Sequence, residues 1–374
     1  MTDRISDIVT GLPQLRSVND LWHLAERRLA AGDAAFLGDL GVALTERYGS
    51  ETRDVWQYGS VMDQLLRLLA LTPGAANVAQ AARLAGGGGR ARTRYTAVLL
   101  ACGKAPAELA GVFSGGGVGG GGTEELRACL VHELVLRGVC LDETPAIARW
   151  AASPHWRHHP LGRLPLSLTA LEATPPMPGY HLSGSSHGMP ERPAGGHRIQ
   201  AGAENPALDV VEVTTAEDDE AIGAAVAGWF AHSNGRHEAR VYELAGPATP
   251  EDVAAVLPTL DLACLRDADP LPGLVPCAPE AVWRMLFVSA STGGAYGGGE
   301  HGAYGRLAAW RSLGGLAGCP GDDPAEIEPM ALACSWFGLD PLTGWFADVA
   351  WDVTAVALGP DRRRLAVLAA TDTD

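Results

Sequence analysis

Residues 172–207 interrupt the chain with a long stretch that has no hydrophobic periodicity. The stretch contains six prolines and many glycines. Because proline and glycine oppose helices and central strands, this composition favours a loop between two folded parts. The sequence therefore predicts a first domain over residues 1–171, a Pro/Gly-rich linker over residues 172–207 and a second domain over residues 208–374.

The first domain is predicted to be helical throughout. Apolar residues recur at helical spacing in successive segments, which are separated by short loops of Gly, Pro and Asp. The predicted helices are residues 17–32, 34–48, 52–71, 75–85, 91–102, 123–137 and 144–152. Serial helices of this kind pack as antiparallel pairs. Since no fixed repeat length recurs, the pattern indicates an irregular, HEAT-like helical array.

The second domain mixes both periodicities. The strand candidates are residues 208–215, 236–246, 331–340, 345–358 and 362–374, and the helix candidates are residues 216–235, 249–260, 280–290 and 306–317. Gly359, Pro360 and Asp361 form a turn signal between the last two strands, which predicts an antiparallel pair there. The whole chain is therefore predicted to be α+β: a helical array followed by an α/β domain with a partly antiparallel sheet.

The charge of the chain limits the partners that it can bind. A net charge of −16 argues against a general nucleic-acid-binding protein, which needs a basic face. Acidic residues cluster in "EDDE" at 217–220 and in "GDDPAEIE" at 321–328. These clusters favour electrostatic steering of a basic protein partner. The candidate partner-binding residues are Asp218, Asp219, Asp322 and Asp323.

The cysteines indicate the compartment. There are seven of them, scattered and without a C-x-x-C pair, which fits a reducing cytoplasm better than a disulfide framework. The first residues lack the apolar core of a signal peptide, and no apolar run is long enough to span a membrane. We therefore expect a cytoplasmic protein.

The strongest candidate for a ligand site is the glycine-rich stretch over residues 291–311. The sequence Gly-Ala-Tyr-Gly occurs twice in it, at 294–297 and 302–305, between two predicted helices. One interpretation is an anion site at a helix N-terminus, because backbone N–H groups and the helix dipole favour negative charge there. The other is that glycines let two helices and a crossing loop approach closely. The candidate ligand-binding residues are Gly294, Tyr296, Gly297, His301, Tyr304, Arg306 and Arg311.

Other motifs lack part of what a catalytic or metal site requires. Residues 184–188 match G-x-S-x-G, but no strand and helix flank the serine as a nucleophile elbow requires. The histidines of "HWRHH", His155, His158 and His159, lie beside prolines and are interpreted as surface residues. We therefore predict no catalytic residue, no cofactor and no metal.

Three segments resemble a known family. They are "GGAYG…GAYGRLAAWRSLGGLAG", "WFADVAWDVTAVALGPDRRRLAVLAATDTD" and "WFAHSNGRHEARVYEL". Together they resemble an uncharacterised family of actinobacterial proteins known as a domain of unknown function, strongly over residues 205–374 and more loosely before them. The resemblance implies a bacterial, cytoplasmic origin. It assigns no chemistry and no catalytic residue.

These observations lead to three hypotheses about function. The first is a non-enzymatic interaction module that binds a protein partner through its acidic surface, with an immunity or defence role as one version. The second is a small-molecule enzyme or sensor that binds an anionic metabolite at residues 291–311. The third is a structural subunit of a larger assembly.

Overall fold

The computed structural model describes residues 4–49, 55–114, 123–191, 197–201, 208–266, 268, 273–296, 298–339, 343–346, 349 and 351–373. The chain forms two compact units. The first consists of Met1–Gly162 and Pro178–Ser186, and the second of Arg163–Met177 and His187–Asp374.

Helices fill the first unit, as the periodicity predicts. They are α1 (Ile5–Gly11), α2 (Asn19–Ala30), α3 (Ala34–Tyr48), α4 (Trp56–Leu71), α5 (Ala75–Gly86), α6 (Gly89–Gly103), α7 (Ala110–Ser114), α8 (Glu124–Leu136), α9 (Pro145–Ala151) and α10 (Pro154–His158). Asp33 and Thr123 cap α3 and α8 by accepting backbone N–H groups of the first turn. Helix α3 packs on α5, α4 on α6, and α6 on α8, so the apolar stripes of these helices form a continuous core.

Part of the predicted linker is ordered as a small hairpin of the first unit. Its strands, β1 (Gly179–His181) and β2 (Gly184–Ser186), pair antiparallel. The guanidinium of Arg67 donates to the carbonyl oxygens of His181 and Gly184 at 3.0 and 2.8 Å, which fixes the hairpin turn on α4. The serine of the G-x-S-x-G match, Ser186, is thus the last residue of a short strand.

An antiparallel sheet forms the centre of the second unit. Its strands are β3 (Val210–Glu212), β4 (Arg236–Leu244), β5 (Val275–Cys277), β6 (Ser335–Gly338), β7 (Val353–Leu358) and β8 (Arg364–Thr371). They are arranged in the order β3-β4-β8-β7-β6-β5. Every pairing among these described strands is antiparallel, and β7 and β8 form the hairpin that the Gly-Pro-Asp turn predicts.

The two faces of this sheet differ in side-chain size. Val356 and Leu358 of β7 pair with Val367 and Leu365 of β8 and belong to a core cluster on one face. The alternate residues of these strands are mostly small, among them Ala355, Ala357, Ala366 and Ala370. Because successive side chains of a strand point to opposite faces, the small residues form the other face.

Helices complete the second unit. They are α11 (Ala216–Gly223), α12 (Ala227–His232), α13 (Pro250–Val256), α14 (Pro279–Thr292), α15 (His301–Ala317) and α16 (Pro324–Ala333). Helix α15 packs on β7 and β8 and also on α14, α11 and α16, so it is the central helix of the unit. The predicted α+β fold class, with helices first and the sheet in the C-terminal half, is confirmed. Among the described residues, no helix combines the length and apolar character needed to cross a membrane.

Candidate functional site

The two copies of Gly-Ala-Tyr-Gly adopt different structures. The first copy follows α14 in a loop, whereas the second lies inside α15, which begins at His301. The prediction that α15 starts at residue 306 is therefore wrong by five residues. Gly297 lies outside the described residues.

Helix packing explains why the second copy is helical despite its glycines. A Cβ atom on Gly305 would lie 2.8 Å from the Cβ and 2.9 Å from the Cα of Ser291 in α14. Side chains are excluded from this crossing, so the packing of α14 on α15 outweighs the low helix propensity of glycine. The distances agree with the close-approach interpretation of these glycines.

A buried carboxylate holds the loop that contains the first copy. The carboxylate of Asp372 accepts the backbone N–H of Ala295 at 2.7 Å and the hydroxyl of Ser233 at 2.9 Å. A Cβ atom on Gly294 would lie 1.8 Å from this carboxylate, so the approach requires glycine. Asp372 is fully buried, and hydrogen bonds to a charged acceptor are among the stronger ones in proteins. The loop is therefore fixed at its base.

Two aromatic side chains near this base are exposed to solvent. Tyr296 is 67% exposed and Phe230 is 44% exposed. Trp229 precedes Phe230 in the chain. Its buried indole donates to the carbonyl of Ser289 at 3.1 Å, and its Cγ lies 3.3 Å from the Cβ position of Gly294. The segments around residues 229–237, 294–296 and 372 thus meet at one place, although they are far apart in the sequence.

Arg306 faces the protein interior. Its guanidinium donates to both carboxylate oxygens of Glu172, at 2.6 and 2.7 Å, and to the carbonyls of Pro165 and Ser167, each at 2.9 Å. The indole of Trp310 donates to the same carboxylate at 2.7 Å. Neither Arg306 nor Glu172 is exposed. This arrangement gives Arg306 a structural role as the clamp of residues 165–172 on α15.

Arg311 is paired as well. It lies one turn along from the clamp, half-exposed, and contacts Asp322 at 3.3 Å, while Arg163 contacts the same carboxylate at 2.7 Å. Burial raises the pKa of Asp322, but hydrogen bonds from Arg163 and Arg311 outweigh it and hold that pKa below its usual value. His301 and Tyr304 both lie in the first turn of α15 and are half-buried.

The remaining acidic candidates lie at helix starts. Asp218 closes a capping box with Thr215 at the start of α11, and Asp219 contacts the imidazole of His237 at 3.2 Å. Asp323 caps α16 by accepting the N–H of Ala325 at 2.9 Å. These carboxylates stabilise the local fold and at the same time contribute to the negative surface.

The histidines of "HWRHH" line a cavity of about 250 Å³ in the first unit. His155 contacts Glu124, and His159 contacts Glu125 at 3.1 Å. The N–H of Leu161 donates to Nδ1 of His159, so in this geometry the proton of the ring lies on Nε2 and is donated to Glu125. In the described part of the chain, no group of three or more His, Cys, Asp or Glu side chains has a metal-binding arrangement.

Sequence patterns did not identify Glu172 or Phe230. Glu172 is the first residue of the predicted linker, and no local signal marks a carboxylate whose partner is 134 residues away. Phe230 is exposed beside the buried Trp229, after the short 3-10 helix that joins α11 and α12.

No curated protein and no solved structure gave a match to this sequence. A family model described as a family of unknown function, DUF6183, matches residues 19–374. The match extends over both units and confirms the resemblance to a domain-of-unknown-function family. By this match, the chain belongs to the DUF6183 family of unknown function.

Proposed function

We propose that the protein is a non-enzymatic interaction module that binds a basic protein partner through one surface of the second unit. The surface consists of Phe230, Tyr296, Glu217, Asp219 and Glu220, and is called the aromatic–acidic surface. An immunity or defence role is one version of this proposal. A structural subunit of a larger assembly is a separate alternative.

The exposure of Tyr296 on a fixed loop is the observation that carries the proposal. Large aromatic side chains are normally buried, and exposed ones are enriched among the residues that dominate protein interfaces. The buried Asp372 holds Ala295, the residue directly before Tyr296. A side chain presented from fixed backbone loses little conformational entropy on binding, which favours affinity.

Contacts between neighbouring side chains connect the acidic and aromatic parts of the surface. Asp219 contacts His237, and the ring of His237 stacks on Phe230 with ring centroids 4.6 Å apart. Phe230 adjoins Trp229, which packs against Gly294 in the loop of Tyr296. Contacts therefore connect the acidic first turn of α11 with Phe230, and the residue next to Phe230 packs against the loop of Tyr296.

The charge of the region favours a basic partner. Glu217 and Glu220 are exposed on α11, next to Asp219. The whole chain has a net charge of −16, which accelerates association with a positively charged protein at low salt. Binding is expected to weaken as salt concentration rises, because screening reduces such steering.

Affinity capture from a native lysate, at low and at high salt, tests the proposal. The full chain is expected to retain a basic protein in stoichiometric amount. The double variant Tyr296→Ala, Phe230→Ala is expected to lose it, whereas Leu332→Ala, an equally exposed apolar residue on α16, keeps it. Failure to recover a stoichiometric partner, or equal recovery with both variants, contradicts the proposal.

The alternative, an enzyme or sensor that binds an anionic metabolite at residues 291–311, has less support. The guanidinium groups of Arg306 and Arg311 both engage carboxylates of the protein. Thermal-shift measurements with a panel of phosphates and carboxylates test it, since a ligand of the folded state raises the melting temperature.

A further inference from the structure

A half-open cavity of about 370 Å³ lies beside α14 in the second unit, outside the aromatic–acidic surface. Its volume falls within the range of natural small-molecule sites. Ala281, Arg284, Met285 and Val288 line it from α14. The last three lie three, four and seven residues after Ala281, a spacing that places all four on one face of the helix. Helix α14 therefore has one face toward α15 and another toward this cavity.

The rest of the lining combines apolar groups with one acid. Met189 and Glu191 line the cavity from the segment after residue 187, and Cys277 lines it from β5. Burial raises the pKa of the Cys277 thiol to about 12, so the thiol is protonated at neutral pH. In this proposal it is a neutral part of the wall.

Arg284 and Glu191 bring opposite charges to the cavity without neutralising each other. Within the described part of the chain, neither side chain makes a hydrogen bond or an ion pair. Glu280 lies four residues before Arg284, a spacing that favours helical ion pairs, and no ion pair joins these two described residues either. Among the residues that the structure describes, the cavity thus has one cation and one anion without a protein partner beside an apolar wall.

We propose that this cavity binds a free α-amino acid with an apolar side chain. The guanidinium of Arg284 takes the carboxylate, because its planar fork matches a carboxylate in two parallel hydrogen bonds. Glu191 takes the ammonium group. Met189, Met285 and Val288 contact the side chain, and unbranched methionines adapt to side chains of different shape. The ligand class follows from this combination, since a simple carboxylate leaves Glu191 without a partner.

Isothermal titration calorimetry with the full chain tests this assignment. The probes are L-leucine, L-methionine and L-phenylalanine. Two analogues of leucine each lack one charge: 4-methylpentanoate lacks the ammonium group, and 3-methylbutylamine lacks the carboxylate. At least one amino acid is expected to bind saturably. Because a hydrogen bond to a charged group is lost, each analogue is expected to bind at least about tenfold more weakly than leucine.

Two variants separate the roles of the two charges. Arg284→Gln is expected to weaken amino-acid binding about tenfold and to leave the affinity for 3-methylbutylamine unchanged, because this probe has no carboxylate. Glu191→Gln is expected to leave the affinity for 4-methylpentanoate unchanged, because this probe has no ammonium group. Both residues are exposed, so both variants are expected to fold. Arg266→Gln, an exposed arginine that pairs with Asp261 outside the cavity, is the matched control.

Three results overturn the proposal: no saturable binding of any of the three amino acids, equal affinity for leucine and 4-methylpentanoate, or equal loss of binding in the Arg266→Gln control. The proposal is independent of partner binding, because Arg284 and Glu191 lie outside the aromatic–acidic surface.

Discussion

Arg306 and Glu172 form an ion pair in which neither side chain has any exposed surface, although 134 residues of sequence separate them. Desolvation of two charges is costly and is repaid only when both hydrogen-bond completely. Here the carboxylate also accepts from Trp310 and the guanidinium also donates to two carbonyls. The pair therefore fixes one arrangement of residues 165–172 on α15.

Replacing Arg306 is expected to destabilise the protein strongly. Arg306→Met leaves the Glu172 carboxylate buried without its cation, which costs about 3–5 kcal/mol of unfolding free energy. Urea denaturation measures the loss. Arg311→Met is the control, because its half-exposed pair with Asp322 is worth no more than about 1 kcal/mol. Similar stability of the two variants would show that the clamp is not structural.

Removal of the Asp372 carboxylate is expected to release the loop after α14. Asp372→Ala deletes the acceptor of Ala295 and Ser233, so we expect a loss of about 2–4 kcal/mol. Hydrogen exchange of residues 294–296 is expected to accelerate relative to that of β8. Asp209→Ala, at an exposed aspartate, serves as the control. Unchanged exchange in residues 294–296 would contradict the anchoring role of this carboxylate.

Replacing the glycine at the crossing of α14 and α15, Gly305, is expected to destabilise the protein. Gly305→Ala places a methyl group 2.8 Å from Ser291, and overpacking of this kind costs about 1–3 kcal/mol even though alanine favours helices. Gly59→Ala in α4 is the opposite case, since open space surrounds that position. This variant is expected to gain up to about 1 kcal/mol. Thermal unfolding of both variants measures the difference, and a stabilising Gly305→Ala would rule out the close contact.

Acid is expected to weaken the first unit through Glu125. Burial raises the pKa of this carboxyl, but hydrogen bonds from His159 and Arg94 outweigh it and lower the pKa to about 2. Because the folded pKa is depressed, the stabilisation is fully present above the unfolded pKa of about 4.5 and is lost as pH falls toward 2. The shift in the pKa of Glu125 contributes at most about 3 kcal/mol to the free energy of unfolding.

Denaturation of the full chain and of Glu125→Gln, compared at pH 6 and at pH 3, measures this contribution. The wild type is expected to lose more stability than the variant across this range. Equal losses in the two proteins would show that Glu125 does not titrate with a depressed pKa.

The spacing of apolar residues predicted most of the helices and strands, because it shows which side chains of a segment are buried. The predicted helix over 34–48 coincides with α3, and the strand candidates at 236–246 and 362–374 contain β4 and β8. The start of α15 was wrong because glycine-rich sequence has low helix propensity, and contact with Ser291 outweighs that propensity.

The candidate site was predictable only in part. The loop around Tyr296 was identifiable from its repeated glycines. The partners that define its chemistry, Glu172 for Arg306 and Asp372 for Ala295, are brought together by packing of distant segments, which single-sequence periodicity does not report. For the same reason, the sequence suggested that the guanidinium of Arg306 could donate hydrogen bonds to an anionic ligand, although in the fold it is paired with Glu172.

The hairpin β1–β2 has a consequence for how this architecture can change during evolution. Because Pro178–Ser186 belongs to the first unit while the residues on both sides belong to the second, the polypeptide passes between the units three times. Neither unit corresponds to an uninterrupted gene segment. Recombination at a single breakpoint would therefore separate one of them from part of its own structure, so the two are expected to be inherited together.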